Sequence, residues 1–141
     1  LRTSWAYSST GSNFVKMMLR LGAERESLTV VGGQIGGPTS ADDIANALLI
    51  MVRAFVGGQG QTGIYHFAGT PDGSWAVFPS EVFRQARIDF QVIPIPTSEY
   101  PTPALRPLNS RMDCTALETV YSIARPDWRI SLSPDLSIAE M

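Results

Sequence analysis

An α/β fold is what this sequence predicts, and three observations predict it. Segments with apolar residues spaced i, i+3, i+4 and i+7 alternate with short runs rich in β-branched and aromatic residues. Glycine or proline clusters separate them, at Gly32–Pro38, Gly57–Gly63 and Pro94–Pro107. At 141 residues, 44% hydrophobic and 17% charged, the chain can bury a real core and is too apolar to be disordered.

Each element follows from its local pattern. Leu1–Tyr7 alternates loosely and reads as the end of a buried strand, running into a loop at Ser8–Ser12. Asn13 caps a helix to about Glu24, with Phe14, Met17, Met18 and Leu21 as its apolar stripe and Lys16, Arg20 and Glu24 opposite. Leu28–Val31 is a strand, and Gly32–Pro38 a glycine-rich loop. Thr39 or Ser40 caps a second helix, Ala41–Phe55, whose first turn carries Asp42 and Asp43 where the helix dipole favours negative charge. Ile44, Leu48, Val52 and Phe55 mark its buried stripe, while Leu49, Ile50 and Met51 imply burial on more than one side. Gly57 and Gly58 stop it.

Gly63–Ala68 is a strand with Tyr65 and Phe67 on one face and Ile64, His66 and Ala68 on the other. Ser74 caps a helix to about Arg87, with Trp75, Phe78 and Val82 inward; Pro79 distorts its first turn or delays its start. Phe90–Ile95 is a strand, and five of the ten prolines keep Pro94–Pro107 extended. Asp113–Ala124 is a helix, and Leu136–Met141 a last helical turn or two. There are no internal repeats and no low-complexity tract.

Composition excludes several function classes. The single cysteine, Cys114, rules out an intramolecular disulfide, and with the single histidine, His66, it cannot form an ordinary structural zinc site. A net charge of −2 gives no basic field for nucleic acid or anionic lipid. The longest apolar run, around Ala45–Val56, is broken by Asn46 and Arg53 and too short for a bilayer, and no signal peptide is recognisable, so a cytoplasmic location is expected. Leu1 is not a methionine and the first residues read as mid-strand, so the sequence is expected to be a fragment of a longer polypeptide.

The motifs that suggest chemistry have commoner structural readings. Gly58-Gln59-Gly60-Gln61-Thr62-Gly63 matches G-x-G-x-x-G, but a helix precedes it and a strand follows, the reverse of a dinucleotide fingerprint. Gly32–Gly37 lacks the Lys-Ser/Thr of a phosphate loop and reads as a strand-to-helix connection needing positive backbone dihedrals. His66 has no Cys, Asp or Glu at metal-ligand spacing and reads as a packed, hydrogen-bonded residue. Asp42-Asp43 reads as a helix-start charge pair rather than a cation site. Cys114 lies near a helix start, where a thiolate is stabilised, but has no histidine nearby in sequence. No G-x-S-x-G or H-E-x-x-H occurs, and no self-sufficient catalytic constellation exists.

Taken together, an ordered set of segments carries a resemblance. They are Arg2-Thr3-Ser4-Trp5-Ala6-Tyr7, Asn13–Leu21, Gln34-Ile35-Gly36-Gly37-Pro38-Thr39, Gly63–Gly69 and Pro96–Ala104, continuing through Arg106-Pro107-Leu108-Asn109-Ser110-Arg111-Met112-Asp113. In this order and spacing, over nearly the whole chain, they resemble the C-terminal part of dTDP-4-dehydrorhamnose reductases, of the extended short-chain dehydrogenase/reductase superfamily. Each motif alone is weak, whereas the ordered set is specific. The resemblance implies the substrate-binding portion of a Rossmann-type enzyme that reduces the C4 ketone of dTDP-4-dehydro-β-L-rhamnose with NADPH or NADH. In the family a Tyr-x-x-x-Lys pair, whose tyrosine protonates the ketone oxygen while the lysine lowers its pKa and holds the ribose, lies upstream of the Arg-Thr-Ser-Trp segment. This chain lacks the pair: its only lysine is Lys16, and Ser12 stands four residues before it.

By the same resemblance, Trp5 lies against the deoxysugar ring, where an indole face suits apolar C–H groups. Arg106, before Pro107, holds the diphosphate through its guanidinium fork, with Arg111 a second choice. Thr3 and Ser4 line the nicotinamide side, and Gln34, Gly36, Pro38 and Thr39 shape the loop beneath the substrate. The family's metal-assisted dimers extend the implication to Mg2+ and a homodimer; Asp42 is the residue such a metal would draw on, but no metal ligand is assigned. A dTDP-sugar is the expected partner, and a nucleic acid or membrane is not. Two alternatives stay open: a non-catalytic nucleotide-sugar-binding relative, and an extended-family reductase or epimerase for another sugar nucleotide. Mixed with NADPH and dTDP-4-dehydrorhamnose, this chain is expected to give no turnover, read as unchanged NADPH absorbance; measurable NADPH oxidation contradicts it.

Overall fold

The computed structural model describes residues 1–139. In chain order the elements are β1 (Ala6–Tyr7), α1 (Phe14–Glu24), β2 (Ser27–Val31), β3 (Ile35–Gly36), β4 (Thr39–Ser40), α2 (Ala41–Val56), β5 (Gly73–Ser74), α3 (Val77–Gln85), β6 (Gln91–Ile95), α4 (Thr115–Tyr121) and α5 (Trp128–Ala139), with one 3-10 turn at Thr97–Glu99. Helices alternate with short strands, as an α/β fold requires. The strands form three two-stranded sheets: β1 with β4 and β2 with β6, both parallel, and β3 with β5, antiparallel.

Local chemistry sets the helix starts. The Asn13 side-chain oxygen accepts from the backbone N–H groups of Val15 (3.0 Å) and Lys16 (3.3 Å), satisfying two donors of the first turn of α1. Ser40 caps α2 by accepting from Asp42 N–H at 3.3 Å, and Asp42 and Asp43 occupy its first turn. Ser74 Oγ accepts from Ala76 and Val77 N–H, yet the helix begins only at Val77 and takes Pro79 into its first turn. There the missing proline N–H costs no helical bond.

Two apolar clusters hold the molecule together. One gathers Tyr7, Val15, Met18, Phe78, Val82, Phe83, Trp128, Leu132 and Leu136, and so clamps α1, α3 and α5. The other gathers Ala47, Met51, Tyr65, Phe67, Leu117, Tyr121 and Ile123, between α2 and α4. Trp128 is fastened at three points: its N–H donates to the Thr70 carbonyl (3.1 Å), its indole N–H to the Pro71 carbonyl (2.7 Å), and its own carbonyl accepts from Tyr7 Oη (2.9 Å).

Several expectations are corrected. Of Leu1–Tyr7, only Ala6–Tyr7 is strand, and Gly63–Ala68 contributes a single bridge, His66 to Arg2. Arg2 makes two bonds there, to the Tyr65 carbonyl and from Phe67 N–H, and among the described residues no second partner extends them into a ladder. Gly32–Pro38 holds the short β3, and none of its glycines has positive φ; they are small because neighbours crowd them. The buried face of α2 is Ala47 and Met51 flanked by Ile44 and Ala54, whereas Leu48, Val52 and Phe55 of the expected stripe are exposed, as are Leu49 and Ile50. The all-round apolar pattern hid which side packs on α4. The helix expected over Asp113–Ala124 is only α4, because Ser122 turns left-handed at φ 55° and ends it. The last helix starts at Trp128 rather than Leu136, with Asp127 accepting from Arg129 N–H; Glu140 and Met141 of the expected range lie outside the described residues. Among the described residues no helix is long and apolar enough to cross a membrane.

The α3–α5 contact carries a titratable group. A hydrogen bond from Arg84 holds the Glu81 carboxyl below its ordinary value of 4.5, Gln85 and Arg129 assist, and burial opposes. Gln85 also donates to the Arg129 carbonyl at 2.7 Å, bridging the two helices. A carboxyl with a depressed folded-state pKa contributes stability above its unfolded value and loses it as pH falls through the folded value. Thermal melts are therefore expected to show Tm falling on acidification below about pH 4.5, with a shallower fall in Glu81→Gln.

Candidate functional site

A cleft of about 700 Å3 opens between α1, β2 and the proline-rich segment after β6. The α1 stripe Phe14, Met17, Met18 and Leu21 forms one wall, so residues expected to face the core instead face both core and cleft. Met18 is buried while Met17 stays 43% exposed, which places Met17 at the open side. Leu28–Val31 of β2 continues the apolar lining, and Trp5, Gln34, Trp75, Tyr100, Thr102, Arg106, Pro107 and Ser110 complete it. Among these lining residues Arg106 alone is charged. It makes no ion pair among the described residues.

The proline-rich segment is pinned to the fold close to Arg106. Ile35 N–H donates to the Leu108 carbonyl (2.9 Å), and Ser110 N–H to the Ile35 carbonyl (2.8 Å), with Ser110 Oγ on that same carbonyl at 3.0 Å. These bonds bring a segment with little regular structure of its own alongside β3.

Trp5 lines the same cleft. Its φ of 51° is left-handed, costly for a large L-residue. Its carbonyl accepts from Thr39 N–H at 3.1 Å. Its indole stacks on Trp75 with ring centroids 3.9 Å apart and planes 20° apart, and Phe14 meets Trp75 edge-on at 4.8 Å. Gly36 is required by close approach: a Cβ there would lie 2.6 Å from Trp5 Cε2 and 2.6 Å from Ser110 Oγ.

Trp5 and Arg106, assigned from opposite ends of the sequence, thus line one cleft. Gln34 is buried and lines it too, while Pro38 and Thr39 are fully buried and do not line it. Thr3 and Ser4 do not line the cleft: Thr3 is exposed, and the buried Ser4 Oγ has no hydrogen-bond partner. Arg111 is drawn elsewhere, to Asp72 at 3.6 Å, where Arg125 also pairs at 2.5 Å. Lys16 stands on α1 with Ser12, not a tyrosine, before it. The His66 imidazole makes no hydrogen bond among the described residues, contrary to expectation; only the backbone of its segment pairs with Arg2. No group of three or more His, Cys, Asp or Glu that could hold a metal occurs among the described residues, so Asp42, an exposed helix-start carboxylate, does not fit a Mg2+ site.

Trp75 is the functional candidate the sequence reading missed, because helical spacing assigned it to the core. Its signal was position: it precedes the helix start, where periodicity no longer says which way a side chain points.

Comparison with known proteins then decides the family. The sequence matches the RmlD substrate binding domain over residues 1–139. The chain belongs to this family. A dTDP-4-dehydrorhamnose reductase of Sinorhizobium fredii is 43% identical over 141 residues, covering 93% of this chain and 46% of that protein. The crystal structure of a dTDP-4-dehydrorhamnose reductase from Clostridium acetobutylicum superposes with a TM-score of 0.88 at 35% identity, covering 99% of this chain and 48% of that one. A reductase of the same name from Bacillus anthracis, in complex with NADP, gives 0.84 at 33% identity, covering 96% and 46%. The chain spans about half the length of these relatives.

Within this RmlD domain Cys114 is not part of the cleft. It precedes α4, is 5% exposed, and its thiol is pushed up by burial, with the Ala68 backbone opposing. Native protein is expected to leave Cys114 unmodified by a thiol reagent at neutral pH and to react fully once unfolded; rapid native labelling contradicts this.

Proposed function

We propose that this chain is the sugar-nucleotide-binding domain of a dTDP-4-dehydrorhamnose reductase, which reduces the C4 ketone of dTDP-4-dehydro-β-L-rhamnose with NAD(P)H. The observation that carries the reading is the cleft itself: an indole and a single guanidinium, the latter without an ion pair among the described residues, within a lining that is otherwise largely apolar. That arrangement suits a ligand with a dianionic diphosphate and a weakly polar deoxysugar. Arg106 would hold the diphosphate, charge-assisted and bidentate, and Trp5 would pack on the sugar ring. The reductases named above support the substrate class, and the NADP complex of one of them supports the cofactor. Thr3 and Ser4, immediately before Trp5, are this chain's candidates for the cofactor side, and the orphaned Ser4 hydroxyl is a donor in want of a partner. No metal enters this reading.

Calorimetric titration with dTDP-rhamnose, UDP-glucose and GDP-mannose tests it. The dTDP-sugar is expected to bind tightest. Arg106→Gln should weaken that binding by about tenfold to a hundredfold, as loss of hydrogen bonds to a charged group does, while Arg111→Gln leaves it unchanged. Equal binding of the three sugars, or an Arg106→Gln variant that binds normally, overturns the assignment.

A further inference from the structure

We propose that Trp75 is a positioning residue for Trp5: by stacking on one face of that indole it fixes the plane against which the sugar ring packs. The inference rests on the reading of the cleft as a sugar-nucleotide site.

Trp5 does not hold its orientation unaided. A left-handed φ at a bulky residue persists only where its surroundings over-determine it. The hydrogen bond from Thr39 N–H to the Trp5 carbonyl fixes the backbone and leaves both side-chain torsions free. Two contacts then set the ring. Gly36 lies against its edge, close enough that no Cβ fits. Trp75 lies against its face, 3.9 Å away and nearly parallel.

Trp75 is suited to this role because its own place is fixed independently of Trp5. Its backbone N–H donates to the Gln34 carbonyl at 3.3 Å, and the preceding Ser74 pairs with Ile35. Phe14 braces its ring edge-on. With one indole face covered by Trp75, Trp5 has a single face to offer. Packing of a sugar's C–H groups on an indole needs the two planes nearly parallel, so whatever tilts Trp5 costs sugar contact. The diphosphate contact of Arg106 is untouched by such a tilt.

The test uses the 141-residue chain carrying Trp5→Ala, Trp75→Leu, Trp75→Phe and the double substitution Trp5→Ala with Trp75→Leu. Each is titrated with dTDP-rhamnose and with dTDP, and its far-ultraviolet circular dichroism is recorded. The unsubstituted chain should show the exciton couplet of two stacked indoles, abolished in Trp5→Ala and Trp75→Leu. Trp75→Leu should weaken dTDP-rhamnose binding by about threefold to tenfold, leave dTDP binding unchanged, and add nothing in the Trp5→Ala background. Trp75→Phe, which keeps a stacking ring, should recover most of the loss. Additive losses in the double substitution would mean that Trp75 touches the ligand itself, and overturn the proposal. So would equal losses for dTDP and dTDP-rhamnose, or an unsubstituted chain without the couplet. If Trp75→Leu does not fold, Trp75→Phe decides: retained preference for dTDP-rhamnose over dTDP supports positioning, and complete loss of it overturns positioning. An unsubstituted chain that shows the couplet but binds no dTDP-sugar overturns the site reading, and the proposal with it.

Discussion

The hydroxyl of Thr39 is the tie on which the rest of the site depends. Thr39 is fully buried; its Oγ1 lies within hydrogen-bond reach of the carbonyls of Ser4 (3.1 Å) and Gly37 (3.0 Å) and accepts from Gly69 N–H at 3.2 Å. One hydroxyl has one proton, so it donates to one of the two carbonyls at a time while accepting from Gly69. Its backbone N–H adds the bond to Trp5. Three segments far apart in sequence therefore meet at one side chain: the N-terminal strand, the glycine-rich connection and the stretch entering Thr70. Buried donors and acceptors must be paired, and here each segment supplies what another lacks. Pro38 and Gly69 pack so closely at this point that a Cβ on Gly69 would collide with the Pro38 carbonyl.

Three helix starts were legible because they are local. Asn13, Ser40 and Ser74 announce themselves through side chains that bond to backbone within three residues. The paired strands β2 and β6 were legible because five-residue runs carry enough β-branched residues to stand out. The two-residue strands were not, since Ile35–Gly36 or Thr39–Ser40 has no periodicity to read. The α2 error has a different cause. A helix apolar on all sides gives no direction, and only the packing of Ala47 and Met51 against the α4 cluster selects one. The start of α5 at Trp128 follows Pro126, and Pro134 lies within the helix, so no clean local signal marks where it begins.

The site was half legible. Trp5 and Arg106 were named through resemblance, which records spatial neighbours that composition and spacing do not. Their convergence depends on Ser110 and Leu108 bonding to Ile35, contacts that no local rule specifies. Trp75 escaped because an aromatic near a helix start fits a core stripe equally well. The expected imidazole hydrogen bond at His66 is absent among the described residues: the stretch is held by its backbone bonds to Arg2 and by Tyr65 and Phe67 in the α2–α4 cluster, none of which needs the His66 ring.

The parallel pairing of β2 with β6 has a kinetic consequence. Between the two strands lie β3, β4, α2, β5 and α3, so joining them closes a loop holding much of the molecule. That closure entropy must be met before the pairing repays it. Leu28–Val31 of β2 lines the cleft, and so do Tyr100, Thr102, Arg106, Pro107 and Ser110 of the segment that follows β6. The cleft thus draws on a pairing whose strands are far apart in sequence, whereas the capped helices draw only on their own neighbourhoods.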